Sequence, residues 1–163
     1  DPSRSHTNSL PQPLYLGSRK ITNNHSLVRI QLRSNHFHSG LDFKTQGAIG
    51  KPVYSIFDGS IVRATVSPGG YGRAVYVKHN NGYMTVYAHL DRFPAALAKR
   101  VRKYQYDKEC FEVDLYFLPG DYPVKRGEFL AYAGNTGYSF GPHLHFEVYC
   151  GELQLNPETC FGN

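Results

Sequence analysis

Residues 74–90 read Ala-Val-Tyr-Val-Lys-His-Asn-Asn-Gly-Tyr-Met-Thr-Val-Tyr-Ala-His-Leu, and this stretch decides the fold. Two runs rich in β-branched and aromatic residues, 74–79 and 83–90, flank Asn80-Asn81-Gly82. An Asn-Gly pair supplies the positive φ angles that a tight hairpin turn requires. The stretch therefore predicts a β-hairpin.

Similar short runs continue on both sides of the hairpin. Residues 53–57 and 61–66, separated by Asp58-Gly59, read as strand, tight turn and strand. Further strands are predicted at 110–118, 129–133 and 143–149, the last after a glycine-rich loop. Many short strands with close turns predict an antiparallel sheet protein.

One helix interrupts this pattern. Pro94 begins it, and Leu97, Val101 and Tyr104 recur at the i, i+4, i+7 spacing of an amphipathic helix. The basic residues of the same segment fall on the other face of the helix. They do not form a nucleic-acid recognition element, so no nucleic-acid partner is expected, although the net charge of +5 suits an acidic polymer.

Length and composition indicate one domain. The chain has 163 residues, with 10 Phe, 13 Tyr and 16 Gly but no Trp, which is typical of an aromatic-rich, turn-rich β protein. Residues 1–13 are polar and aperiodic and predict an exposed, flexible arm before a single domain at 14–163. No run approaches the roughly 18 apolar residues of a transmembrane segment. The first residue is Asp1 rather than Met, as expected of a processed or trimmed chain.

Histidines are numerous, and three short motifs contain the informative ones. In His36-Phe-His-Ser-Gly-Leu-Asp42, a bend at Gly40 could bring His38 and Asp42 together, although a surface turn with a capping Asp would look the same. His143-Leu-His145 lies in a predicted strand, where residues two apart share a face. A cation between the two imidazoles would relieve their repulsion, but two half-exposed histidines on an edge strand are the plain alternative.

The third motif, Tyr87-Ala-His89-Leu90, ends the hairpin, and a lone histidine there is more often structural than catalytic. Taken together, the motifs gain meaning, because two His and one Asp are a common ligand set for catalytic zinc, which keeps its fourth position for water. His89 and His143 would then serve proton transfer or charge stabilisation around that water. His36 and His79 are interpreted as structural.

The motifs also occur in a particular order along about three quarters of the chain. The ordered pieces are His38-Ser-Gly-Leu-Asp42-Phe43, Gly50-Lys-Pro-Val-Tyr54, Asp58-Gly-Ser-Ile-Val62, Gly70-Tyr-Gly72, the hairpin turn, Tyr87-Ala-His89-Leu90, the segment from Gly134 to Glu147, and Asn156-Pro157. This set resembles the lysostaphin-like (LytM-type) zinc metallopeptidases.

The resemblance implies a two-layer antiparallel β core of the duplicated-hybrid-motif type with a groove across its sheet. It implies one Zn²⁺ held by His38, Asp42 and His145, and it places the two catalytic histidines of the family at His89 and His143. It also implies a zinc metalloendopeptidase that cuts peptides of bacterial peptidoglycan outside the cytoplasm, in the periplasm, in the cell envelope or as a secreted protein. The alternative is a catalytically silent relative that binds peptidoglycan or activates another hydrolase. A monomer is favoured.

The chain departs from the family pattern at one long connection. Residues 94–122 replace a short link and include the predicted helix and the 110–118 strand, so this insert could wall the groove. Tyr71, Tyr138 and Phe140 are candidate groove walls or ordinary loop aromatics. Glu147 shares the strand face of the His143–His145 pair and could orient a ligand, although a solvated Glu is the commoner case.

The chain has three cysteines and no Cys-x-x-Cys pair. Cys150 and Cys160 flank a turn-rich segment after the last predicted strand, and we expect them to form a disulfide, which an exported protein would permit. Cys110 is then expected to be buried and reduced.

Overall fold

The computed structural model describes residues 15–16, 19–20 and 40–157. The predicted arm at 1–13, the proposed ligand His38 and Cys160 lie outside these residues. The described elements are β1 (Tyr15–Leu16), β2 (Arg19–Lys20), β3 (Leu41–Lys44), β4 (Pro52–Tyr54), β5 (Gly59–Val66), β6 (Arg73–His79), β7 (Tyr83–Arg92), α1 (Ala95–Lys108), β8 (Val113–Tyr116), β9 (Pro123–Val124), β10 (Phe129–Ala133), β11 (His143–Cys150) and β12 (Leu153–Leu155).

Ten of the described strands form one antiparallel sheet system around the predicted hairpin. Its main path runs β12-β11-β7-β6-β5-β8, and β1 pairs only with β2 in a small separate sheet. The long strand β7 pairs with β11 along its first part and with β10 at its end. Because β10 pairs in turn with β4, these strands branch from the main path at the end of β7.

The hairpin prediction is confirmed by β6 and β7. The turn closes with the Gly82 amide donating to the His79 carbonyl at 3.1 Å, and Gly82 has the positive φ of 87° that the sequence predicts. The mainly β, antiparallel fold class with one short helix is confirmed as well.

Two strands occur on either side of Asp58, as predicted, but they do not pair with each other. β4 pairs with β10, whereas β5 pairs with β6, β8 and β9. The chain turns a corner after β4, where the Ser55 amide donates to the Glu128 carbonyl at 2.9 Å and the Asp58 carboxylate accepts the Arg126 amide at 2.8 Å. Contacts to a distant segment therefore replace the local hairpin.

The insert adds α1 and β8 to the sheet. Leu97 and Val101 of the helix enter the core, as the spacing predicts. β8 pairs with β5 and is shorter than the predicted strand, because the chain leaves the helix through Glu109 in the left-handed region with φ 50°. Cys110 follows this residue and is half-buried rather than buried, which corrects the expectation for it.

The two faces of β11 separate the core from the site. Leu144, Phe146 and Val148 belong to the apolar core. The alternate residues from His143 to Tyr149 lie on the opposite face, where the candidate site forms. No helix in the described part of the chain is long and apolar enough to cross a membrane.

Candidate active site

Strand pairing brings Asp42 and His145 together. β3 and β11 are antiparallel with Asp42 directly opposite His145, and the Asp42 Oδ1 lies 2.9 Å from the His145 Nδ1. Two residues that are 103 positions apart in sequence thus form one polar pair on the face of the sheet.

Gly40 lets β3 approach this closely. A Cβ at position 40 would lie 2.6 Å from the carbonyl oxygen of Phe146 and 2.8 Å from the His145 Cε1. Both separations are below van der Waals contact, so only glycine fits against the imidazole. This explains why a glycine stands two residues before Asp42.

The His145 ring lies between two carboxylates. Its Nε2 is 2.8 Å from the Glu147 Oε1 while its Nδ1 faces Asp42. Burial lowers the pKa of His145, but hydrogen bonds to Asp42 and Glu147 outweigh it and raise the pKa to about 9. A positive species is therefore favoured between the Nδ1 and Asp42, either a proton or a metal ion.

His143 is oriented by its own loop. Its Nδ1 is 2.8 Å from the Gly141 carbonyl oxygen and 3.1 Å from the Ser139 Oγ. The carbonyl can only accept, so the Nδ1 carries the proton and the Nε2 of the neutral ring carries the lone pair. That Nε2 lies 3.6 Å from the Asp42 Oδ1 and so points into the site.

His89 is held in an unusual backbone conformation. Its φ is 57°, a left-handed value that a residue with a side chain rarely adopts, and its amide donates to the Tyr71 carbonyl at 2.9 Å. Its Nδ1 donates to the Thr136 carbonyl at 2.8 Å, which again leaves the Nε2 as the acceptor. Burial is the main reason that the pKa of His89 falls to about 4.

The two proposed catalytic histidines and one proposed ligand therefore form a cluster. The ring of His89 lies 4.7 Å from that of His143 and 5.9 Å from that of His145, centroid to centroid. With Asp42, this brings four of the five predicted site residues together. The fifth, His38, lies outside the described residues.

The donor set suits zinc, although the described residues alone do not complete a metal site. Within residues 40–157, no group of three or more His, Cys, Asp or Glu side chains is arranged to hold a metal ion. Asp42 and His145 nevertheless supply one oxygen and one nitrogen at adjacent positions, which are the ligand types that zinc takes in catalytic sites. The residues present thus fit part of a zinc site.

Glu147 has a larger part in the site than its sequence suggests. It is 0% exposed, so the interpretation as a solvated residue is wrong. Besides His145, it accepts hydrogen bonds from the hydroxyls of Tyr71 and Tyr149. These bonds hold its pKa below the ordinary value although burial alone would raise it. Tyr149 is a site residue that was not predicted from sequence, although the alternation 143, 145, 147, 149 places it on this face.

The three aromatic residues named as groove walls differ in their surroundings. The Tyr71 ring is stacked on His145, with centroids 5.5 Å apart and an interplanar angle of 29°. Tyr138 and Phe140 are exposed and contact each other edge-on at 5.1 Å. His79 is buried away from the cluster and its Nε2 is 2.7 Å from the Thr85 Oγ1, which agrees with the structural interpretation.

The disulfide expectation involves a residue beyond the described part of the chain. Cys150 is exposed at the end of β11, and Cys160 lies outside the described residues. The pairing therefore stays a prediction.

Comparisons with known proteins agree on one protein family. The model of peptidase family M23 matches residues 36–106. Peptidoglycan DD-endopeptidase ShyB of Vibrio cholerae is 39% identical over 111 residues, which cover 68% of this chain and 20% of that protein. The chain spans 20% to 27% of the length of the first curated relatives that it matches.

Solved structures show the same fold. A zinc-containing peptidase from Vibrio cholerae matches with a TM-score of 0.58 and 28% identity, covering 86% of this chain and 36% of that one. The catalytic domain of lysostaphin from Staphylococcus simulans matches with a TM-score of 0.57 and 26% identity, covering 80% and 84%. The fold, the clustered histidines and these matches show that the chain belongs to peptidase family M23, the lysostaphin-like (LytM-type) peptidases.

Proposed function

We propose that this chain is a zinc metalloendopeptidase that hydrolyses peptide bonds of bacterial peptidoglycan. The observation that carries the proposal is the convergence of Asp42, His89, His143 and His145 on one point of the sheet face. A structural role does not require a buried imidazole and a half-buried imidazole packed together beside a carboxylate and a third imidazole.

The metal is assigned to His38, Asp42 and His145. His38 stands two residues before Gly40, so an extended chain could carry it at most about 7 Å from the glycine that packs on His145. Two His and one Asp would leave one position of a tetrahedral zinc open. Bound there, zinc would lower the pKa of a water towards about 7 and polarise the scissile carbonyl.

His89 and His143 are assigned to proton transfer. Each is anchored through its Nδ1 by a backbone carbonyl, so each presents an Nε2 that can take a proton from the attacking water and return one to the leaving amine. The Asp42 Oδ1, 3.6 Å from the His143 Nε2, stabilises the imidazolium that this transfer creates. As imidazolium, either ring would also stabilise the developing oxyanion.

Peptidoglycan is proposed as the substrate because curated relatives are named peptidoglycan DD-endopeptidases. The net charge of +5 suits an anionic wall polymer. Such a substrate places the enzyme outside the cytoplasm.

The test is digestion of defined cross-linked muropeptides with the full chain, followed by mass spectrometry of the products. We expect mass gains of one water at a peptide bond, loss of the activity with a chelator and its return with zinc. The variant His79→Gln is the matched control, because this histidine is buried away from the cluster. Zinc binding without any cleavage would contradict the catalytic proposal and favour a silent relative that binds the wall.

A further inference from the structure

Glu147 is a buried carboxylate whose hydrogen-bonding capacity is used on three sides. Its Oε1 accepts from the His145 Nε2 at 2.8 Å and from the Tyr71 hydroxyl, and its Oε2 accepts from the Tyr149 hydroxyl at 2.7 Å. An ionised carboxylate that is 0% exposed would be costly without such partners. The arrangement therefore holds the carboxylate in one orientation, against the ring of a proposed metal ligand.

The hydrogen bond between Glu147 and the His145 Nε2 orients the imidazole ring so that its Nδ1 faces Asp42. A neutral imidazole has one donor and one acceptor nitrogen, and Glu147 can only accept. Asp42 is an acceptor as well, so with a metal ion bound at the Nδ1 the proton of the neutral ring lies on the Nε2, where Glu147 accepts it. The Nδ1, 2.9 Å from the Asp42 Oδ1, is left to act as a ligand.

Tyr71 connects this carboxylate to the rest of the site. Its hydroxyl donates to Glu147, its ring is stacked on His145, and its carbonyl accepts the amide of His89 at 2.9 Å. One residue thus contacts the carboxylate, the proposed ligand and one proposed catalytic histidine.

The glycine loop that bears Tyr71 is itself fixed by a second loop. The Tyr138 amide donates to the Gly70 carbonyl at 2.8 Å. A Cβ at Gly137 would collide with the backbone of Gly70 and Gly72, so the two loops interlock at van der Waals distance. The position of Tyr71 above the imidazole is therefore set by the backbone.

We propose that Glu147 and Tyr71 are positioning residues of the metal centre, with Glu147 fixing the tautomer and ring orientation of His145 and Tyr71 clamping both. The inference rests on the proposed function, because it takes His145 to be a zinc ligand. In this proposal both residues act through His145, which Glu147 contacts by a hydrogen bond and Tyr71 by ring stacking.

The test compares the zinc dissociation constants of full-length variants by competition with a chromophoric chelator. Glu147→Gln keeps the size and a carbonyl acceptor but removes the charge, and it should weaken zinc binding by about 10- to 100-fold. Tyr71→Phe removes one hydrogen bond and keeps the ring, and it should weaken binding by about three- to tenfold. Tyr132→Phe is the control, because it also removes a tyrosine hydroxyl from the sheet, but Tyr132 of β10 packs against Phe129 and Arg92 rather than against Glu147.

The melting temperature of each zinc-free variant separates positioning from folding. If Glu147 and Tyr71 are positioning residues, their substitution should lower the zinc affinity while the zinc-free variant melts near the temperature of the zinc-free wild type. KM at saturating zinc should not change. Zinc affinity of Glu147→Gln within about threefold of the wild type would overturn the inference alone. A wild-type chain that binds no zinc would overturn the proposed function as well. Should Glu147→Gln fail to fold, Tyr71→Phe decides, and an unchanged zinc affinity in that variant would overturn the inference.

Discussion

Replacing Gly40 by alanine should both destabilise the domain and disturb the candidate metal site. The new Cβ would lie 2.6 Å from the Phe146 carbonyl oxygen, 2.8 Å from the His145 Cε1 and 3.0 Å from the Glu147 Cγ. The carbonyl cannot retreat easily, because Phe146 of β11 is paired on one side with Leu41 and on the other with Tyr87. The strain must therefore fall on β3 and on the imidazole.

The magnitude follows from comparison with a second glycine. Gly69 has nothing within 4 Å of an added Cβ and no positive φ, so Gly69→Ala should be tolerated. Both substitutions restrict the unfolded chain by the same amount, about 0.4–1 kcal/mol, which cancels in the comparison. Overpacking costs about 1–3 kcal/mol, so Gly40→Ala should be less stable than Gly69→Ala by that amount.

Urea unfolding of the zinc-free variants measures this difference, and chelator competition measures the zinc affinity of each. We expect weaker zinc binding only in Gly40→Ala, since its methyl group displaces the ring of a proposed ligand. Equal stability of the two variants would refute the close packing of β3 on β11 from which the site is built.

Three further predictions concern other parts of the chain. His89→Ala and His143→Ala should each keep near-normal zinc and lose cleavage by about 10²- to 10⁴-fold, and loss of zinc from either would make that residue a ligand instead. Burial lowers the pKa of His79 in the folded chain, so the unfolded chain takes up the proton first and the free energy of unfolding should fall as pH drops below about 6.5. His79→Gln should flatten this decline between pH 7 and 5, and an unchanged slope would contradict the assignment. Leu97→Ala should cost about 2–5 kcal/mol in urea unfolding, because the side chain is 0% exposed, whereas a loss below about 1 kcal/mol would mean that α1 is not anchored in the core.

Local signals were sufficient where one short stretch determines the geometry. The Asn-Gly turn fixes the β6–β7 hairpin, and the alternation of β11 places Leu144 and Phe146 in the core while His143 and His145 face the other way. The helix of the insert follows from its own apolar spacing.

The features that sequence did not predict depend on distant partners. Residues 52–54 look like one arm of a hairpin, but β10, more than 70 positions later, provides their pairing. The buried Glu147 is held by hydrogen bonds from Tyr71 and Tyr149, and Tyr71 is 76 positions away. His89 has a left-handed φ and hydrogen bonds to the carbonyls of Tyr71 and Thr136. The local sequence Tyr-Ala-His-Leu contains no signal for this conformation.

The zinc content of histidine variants, measured together with their muropeptide cleavage, tests the central proposal most directly. The wild-type chain and His36→Ala should each contain one zinc per chain and release peptide fragments, whereas His38→Ala and His145→Ala should contain none and release none. A fully loaded, active His38→Ala variant or cleavage that proceeds in the wild type without any metal would contradict the proposed zinc centre.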